Sequence, residues 1–195
     1  MKITKTQSLA NRARIVDTAS ELFRERGYDG VGVTELMATA GFTQGGFYKH
    51  FGSKADLMAE AAENSLSQSL DRTRDLDVAG FVNRYVSRGH RDGRGEGCTM
   101  AALCGDAARQ SEQLKATFAV GVEKMLAALE EKFQAGLDAP QQDARARMID
   151  LLAHAVGAVI LSRACPDDSA LADEILETCR ADIIASLPAN KQSGV

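Results

Sequence analysis

Residues 43–54 read Thr43-Gln44-Gly45-Gly46-Phe47-Tyr48-Lys49-His50-Phe51-Gly52-Ser53-Lys54, and the fold of the first third of the chain turns on them. Three glycines, three aromatic rings and three side chains able to carry positive charge share these twelve positions. Glycine costs about 1 kcal/mol in a helix interior relative to alanine, so the stretch is a poor helix by propensity. It does not alternate as a strand does. One reading is a glycine turn folded over a core. Another is an element whose backbone must come close to a phosphate-bearing partner. A nucleotide-cradling loop would need G-x-x-x-x-G-K-[ST] after a strand. The order here is Gly52-Ser53-Lys54 with no strand before it, so that reading fails.

The flanks decide between the others. Upstream, Ile15, Ala19, Leu22 and Phe23 recur at i, i+4, i+7 and i+8, which predicts a helix from Asn11 to about Arg26 with one buried stripe. Gly27 ends it as a C-terminal cap. Thr34 is the expected N-cap of a short helix over Glu35–Ala40, and Gly41 stops that helix. Thr43 then caps a second short helix starting near Gln44. Ser53 caps a long third one, with Asp56 three positions on and Leu57, Ala61, Leu66 and Leu70 along its inner face. Helix, turn, short helix with a longer helix packed in front is the helix-turn-helix pattern of DNA-binding domains. On the second short helix, Gly45 and Gly46 leave the first turn without bulk and expose backbone N–H groups. Gln44 can reach a base edge. Tyr48, Lys49 and His50 suit phosphate contacts, as does Lys54 at the next helix start. Phe47 and Phe51, four apart, face inward.

The composition is compatible with this. The 195 residues are 45 % apolar with three prolines, which makes long helices the default. The net charge of −4 is unevenly spread: residues 1–56 carry eight Lys/Arg against six Asp/Glu, and residues 57–195 carry fifteen against twenty-one. A mildly basic N-terminal unit on an acidic body suits a local phosphate-binding surface. No run of 18 apolar residues exists and the N-terminus lacks the apolar core of a signal peptide, so no membrane association and a cytoplasmic location are expected. Cys98, Cys104, Cys165 and Cys179 show no metal-ligand spacing and are expected to be reduced; neither a metal nor a cofactor is implied.

Residues 11–57, centred on ELFRERGYDGVGVTELMATAGFTQGGFYKHFGSKADL, resemble the DNA-binding domain of the tetracycline-repressor (TetR/AcrR) family of bacterial regulators. The aromatic–glycine–aromatic spacing, the alanine-glycine turn, the G-x-F-Y-x-H-F run and the following Ser-Lys stand in the family's order. By this resemblance Thr34 touches a backbone phosphate, and Thr43, Gln44, Gly46 and Lys49 lie on the reading helix. Tyr48, His50 and Lys54 match phosphate contacts. Gly45 and Gly46 depart from the family, where many members carry Lys, Ser or Thr.

The rest of the chain reads as helices over about 98–109, 111–136, 141–164 and 168–187, with Pro140 and Pro166 at boundaries and the polar loop HRDGRGEG (90–97) as a break. The expectation is an all-α protein of about nine helices, with a helix-turn-helix domain at 1–56 and a regulatory and dimerisation domain at 57–195. The family resemblance implies that the second domain houses a small-molecule inducer and dimerises through its last two long helices. Leu152, Val156, Gly157 and Ile160 on one helix and Ile175, Cys179 and Ile183 on the other form stripes suited to a four-helix bundle between two copies. A homodimer would match a pseudo-palindromic duplex operator. Met100, Leu103, Phe118 and Val122 are candidate lining for the inducer. Cys98 follows a glycine loop at a helix start, where unpaired N–H groups favour a thiolate. The Gly-Cys start and its continuation through Ala-Ala-Leu resemble a branch of the family that includes an electrophile-sensing repressor, which makes Cys98 a candidate sensor, with a packing residue as the alternative. Cys104 reads as an ordinary buried cysteine. The function implied is a transcriptional repressor released by an inducer or by modification of Cys98. A helical interaction module without DNA binding is the alternative. No nucleophile–base pair at recognisable spacing points to an enzyme.

Overall fold

The computed structural model describes residues 4–135 and 141–188, and the fold of these residues is all-α. Pro140 and residue 136, the expected end of one helix, lie outside the described residues. Nine α-helices and one 3-10 turn are found among those described: α1 (Lys5–Arg26), α2 (Val33–Thr39), the turn Gln44–Lys49, α3 (Lys54–Thr73), α4 (Val78–Tyr85), α5 (Arg88–Asp92), α6 (Thr99–Ala107), α7 (Glu112–Gln134), α8 (Gln141–Ala164) and α9 (Ala170–Ser186). No helix among the described residues is long and apolar enough to cross a membrane.

The chain divides into two compact units: residues up to Ser69 with Arg94–Gly121, and Leu70–Gly93 with Val122 onward. In the first unit three of the four residues of the expected stripe of α1, Ile15, Ala19 and Phe23, are fully covered, and Leu22 is half-buried against the same core. Around them pack Tyr28, Val31, Leu36, Met37, Phe47, Phe51 and Leu57, joined by Leu103 and Ala107 of α6 and Leu114 and Phe118 of α7. Burying one large apolar side chain is worth roughly 1.5–3 kcal/mol, so this shared core is what holds the short elements together. Gly27 ends α1 with φ 73° and ψ 166°, a region open essentially to glycine. Its bareness also admits Asp106 of α6: a Cβ on Gly27 would lie 2.6 Å from Asp106 Oδ2, which accepts the Tyr28 N–H at 3.2 Å.

Three expected boundaries change. Helix α1 starts six residues before Asn11, because the Thr4 hydroxyl caps it by accepting the Gln7 N–H at 3.2 Å. Thr34 does not cap α2. The Leu36 N–H already bonds to Gly32 O at 3.0 Å, so the helix begins two residues earlier and Thr34 stands exposed inside its first turn. The start of the loop 90–97 is instead helical, since the Ser87 hydroxyl accepts the His90 N–H at 3.2 Å and opens α5. Ser53 caps α3 as expected, accepting the Asp56 N–H at 3.1 Å.

In the second unit α8 and α9 pack side by side, tied by the buried Ser162 hydroxyl donating to Ala172 O at 2.8 Å. Arg145 of α8 pairs with Glu123 and Glu130 of α7 at 2.8 and 3.0 Å. The buried Arg91 of α5 pairs with Asp92 at 2.7 Å and Asp173 of α9 at 3.5 Å.

Candidate nucleic-acid interface

Helix α2 closes on Gly41, whose φ of 83° turns the chain out of the helix. The turn is tied by Gly41 N–H to Ala38 O at 3.0 Å and Phe42 N–H to Met37 O at 2.8 Å. Thr43 is extended, and the chain then winds through Gln44–Lys49 as a 3-10 turn rather than the expected α-helix. Its bonds run from Gly46 N–H to Thr43 O and from His50 N–H to Phe47 O, both 2.9 Å. Thr43 sits at the N-cap position, but its side chain makes no capping bond. Two adjacent glycines remove the propensity that would support an α-helix, and the inward pull on Phe47 and Phe51 favours the tighter winding. Those two rings lie 5.5 Å apart and are buried, as their spacing implied.

What this anchoring leaves outside is the notable feature. Thr43, Gln44, Gly45, Tyr48 and Lys49 are exposed, with Gly46 and His50 half-covered. Tyr48 is 71 % exposed, a large amount for an aromatic ring held edge-on against Phe47 at 5.2 Å. Among the described residues, nothing packed around Gly45 requires its bareness. Its φ is not positive, and a Cβ there would meet no atom within 4 Å. Thr34 is also exposed.

Lys54 is differently placed from a lone phosphate ligand. Its ammonium donates to Tyr28 O at 2.6 Å, tying the start of α3 to the segment after α1. Sequence reasoning also missed Arg12. Its guanidinium donates to His50 O and to both carboxylate oxygens of Glu60, and it lies 4.3 Å over the Phe51 ring. No local pattern signals partners 38 and 48 positions away.

The remaining candidates are dispersed. Cys98 is the N-cap residue of α6 and is 6 % exposed. Cys104 is half-covered rather than buried, and its thiol is pushed up to about 11 by burial and then by Cys98. Leu103 and Phe118 belong to the core of the first unit, Met100 is buried in the same unit, and Val122 is half-covered in the second. On α8 and α9 the expected stripes split. Leu152 and Ile183 are 5 % and 2 % exposed, so they pack inside the protomer and do not lie on an open face. Val156, Gly157, Ile175 and Cys179 are half-covered, and Ile160 is open. Ile149, Leu161 and Leu171 add to the open apolar surface, which the stripe reading had not included.

Comparison with known proteins places these observations. Residues 15–61 match the family model described as bacterial regulatory proteins, tetR family. The chain is 38 % identical over 64 residues to the transcriptional regulator AcrR of Shigella flexneri, covering 33 % of this chain and 30 % of that protein. It is 23 % identical over 135 residues to the transcriptional repressor NemR of Escherichia coli, covering 64 % and 68 %. Matches to other curated relatives span 27 % to 45 % of those proteins' own lengths. The solved reduced form of NemR from Escherichia coli superposes with a TM-score of 0.74 at 21 % identity, covering 92 % of this chain and 99 % of that one. AibR, solved with isovaleryl coenzyme A and operator DNA, gives 0.58 at 20 % identity over 89 % and 97 %. At these identities the structural likeness is one of fold.

Proposed function

We propose that the chain, whose residues 15–61 match the tetR-family model, is a TetR/AcrR-type regulator: a sequence-specific, duplex-DNA-binding transcriptional repressor acting in the cytoplasm as a homodimer. The observation that carries the proposal is the exposed row Thr43, Gln44, Gly45, Tyr48 and Lys49 on a turn anchored by Phe47 and Phe51, inside the matched region. In this reading residues 1–56 bind DNA and residues 57–195 regulate and dimerise. Gln44 and the bare backbone at Gly45 and Gly46 approach base edges, while Thr34, Tyr48, Lys49 and His50 hold phosphates. Lys54 contributes through its tie to Tyr28 as well as through its charge.

The open apolar surface of α8 supports the homodimer. A Cβ on Gly157 would meet no atom of the described residues within 4 Å, which leaves room for a partner helix beside Val156 and Ile160. Two copies then present two reading turns to a pseudo-palindromic operator. Selection from a random duplex pool tests the reading. Enrichment of a two-fold site, with affinity falling steeply with salt, is expected. Recovery of no preferred sequence and no salt-dependent binding would favour an interaction module that does not bind DNA.

Release from the operator is proposed through an inducer in the second domain or through Cys98. The relatives offer one example solved with an acyl coenzyme A and one solved in a reduced form. Cys98 is buried at 6 % exposure, so its modification requires local opening at the start of α6; its sulfur would then add across the C=C bond of an electrophile such as a maleimide, the adjacent carbon taking up the proton that the thiol gives up. Cys98→Ser is expected to bind DNA and ignore an electrophile such as a maleimide, and Cys104→Ser to respond as the wild type does. A Cys98→Ser protein that still responds would move the effect to a non-covalent inducer.

A further inference from the structure

We propose that Arg12 and Glu60 form a clamp that positions the reading turn, Arg12 acting on DNA recognition through the backbone of His50 and not as a phosphate ligand. The proposal rests on the DNA-binding reading above and adds residues that reading does not include.

The turn Gln44–Lys49 is six residues long and has two glycines, so its own bonds do not fix its angle to the rest of the domain. Phe47 and Phe51 anchor one side of it. The end that carries His50 needs a second hold, because a helical turn leaves its last carbonyls without partners. Arg12 of α1 supplies it. One guanidinium nitrogen donates to His50 O, while the Nε edge donates to Glu60 Oε1 at 3.1 Å and another nitrogen to Glu60 Oε2. The plane lies 4.3 Å from the centre of the Phe51 ring. Glu60 belongs to α3. One side chain therefore joins α1, the end of the reading turn and α3. A planar fork with fixed donors is required, which lysine does not have.

The charge balance distinguishes this role from direct DNA contact. Arg12 is 35 % exposed and Glu60 is 36 % exposed. A carboxylate near a DNA-binding face repels phosphate, so if charge alone mattered, Glu60→Gln would raise affinity. If Glu60 holds Arg12 in place, the same change lowers it. The two accounts give opposite signs.

The experiment uses full-length protein and a duplex enriched from a random pool, with amide hydrogen exchange measured separately without DNA. Glu60→Gln and Arg12→Lys are each expected to weaken binding about ten-fold while leaving the salt slope unchanged, since no phosphate contact is lost. In both variants the Gly46, His50 and Phe51 amides, which bond within the turn, are expected to exchange faster while amides in the middle of α1 keep their rates. Higher affinity in Glu60→Gln would overturn the proposal. So would wild-type affinity in Arg12→Lys together with a salt slope reduced by about 1 in Arg12→Ala, the signature of a phosphate ligand. If the wild type binds no duplex, the DNA reading fails by itself. The exchange rates still judge the clamp, and unchanged exchange in both variants overturns it.

Discussion

At Gly45, stability and binding are expected to move in opposite directions on one substitution. With negative-side φ and open space around its Cα, Gly45→Ala removes unfolded-state freedom and is expected to stabilise the fold by about 0.5 kcal/mol. A duplex lying against the turn would meet the added methyl, so affinity for DNA is expected to fall. Thermal unfolding and duplex titration of one variant read both effects, and an unchanged affinity would move the duplex away from Gly45. Lys54→Met is expected to lose stability as well, by about 1–2 kcal/mol, because the bond to Tyr28 O goes with the charge. At this scale the sequence was legible for several residues whose role is local, but not for the caps expected at Thr34 and Thr43, whose side chains make no capping bond. Phe47 and Phe51 face inward because they are four apart, and Gly27 and Gly41 end helices because the chain there needs φ of 73° and 83°. Arg12, Glu60 and the carbonyl of Tyr28 were not legible, since each works through a partner brought close only by folding.

Among the elements, α1, α3, α8 and α9 follow from apolar spacing, although α1 begins six residues before its expected start. The reading turn did not follow. Its sequence signals a helical element, but the choice of 3-10 over α depends on how far Phe47 and Phe51 must sink into a core built by α1, α2 and α3. Spacing on α9 could likewise not tell an inner face from an outer one: Ile183 and Ile175 share a stripe, yet Ile183 is covered by its own protomer. This gives a paired test. Ile183→Asp buries an unpaired charge and is expected to unfold the second unit or cost more than about 3 kcal/mol. Ile160→Asp, at 41 % exposure, is expected to keep its helical content and lose the dimer in sedimentation. A folded Ile160→Asp dimer would take Ile160 out of the interface.

For the molecule as a whole, acid provides a readout that does not involve DNA. His90 is half-buried against Tyr85, its Nδ1–H donating to Tyr85 O at 2.7 Å. Burial, reinforced by the charge of Arg163, holds its pKa at about 4 instead of 6.5. Between those values the unfolded chain binds a proton that the folded chain does not, so stability is full above pH 6.5 and falls as pH drops toward 4. The loss is on the order of 3 kcal/mol, and His90→Gln is expected to flatten that part of the stability profile. The salt dependence of DNA affinity tests whether the exposed row on the turn Gln44–Lys49 is the DNA-binding face. Wild type and the double variant Tyr48→Ala/Lys49→Ala would be titrated into the same selected duplex across a salt series. The account predicts a steep fall in wild-type affinity with salt, and for the variant weaker binding with a slope smaller by about 1. Equal affinity and equal slope for the two proteins would contradict it.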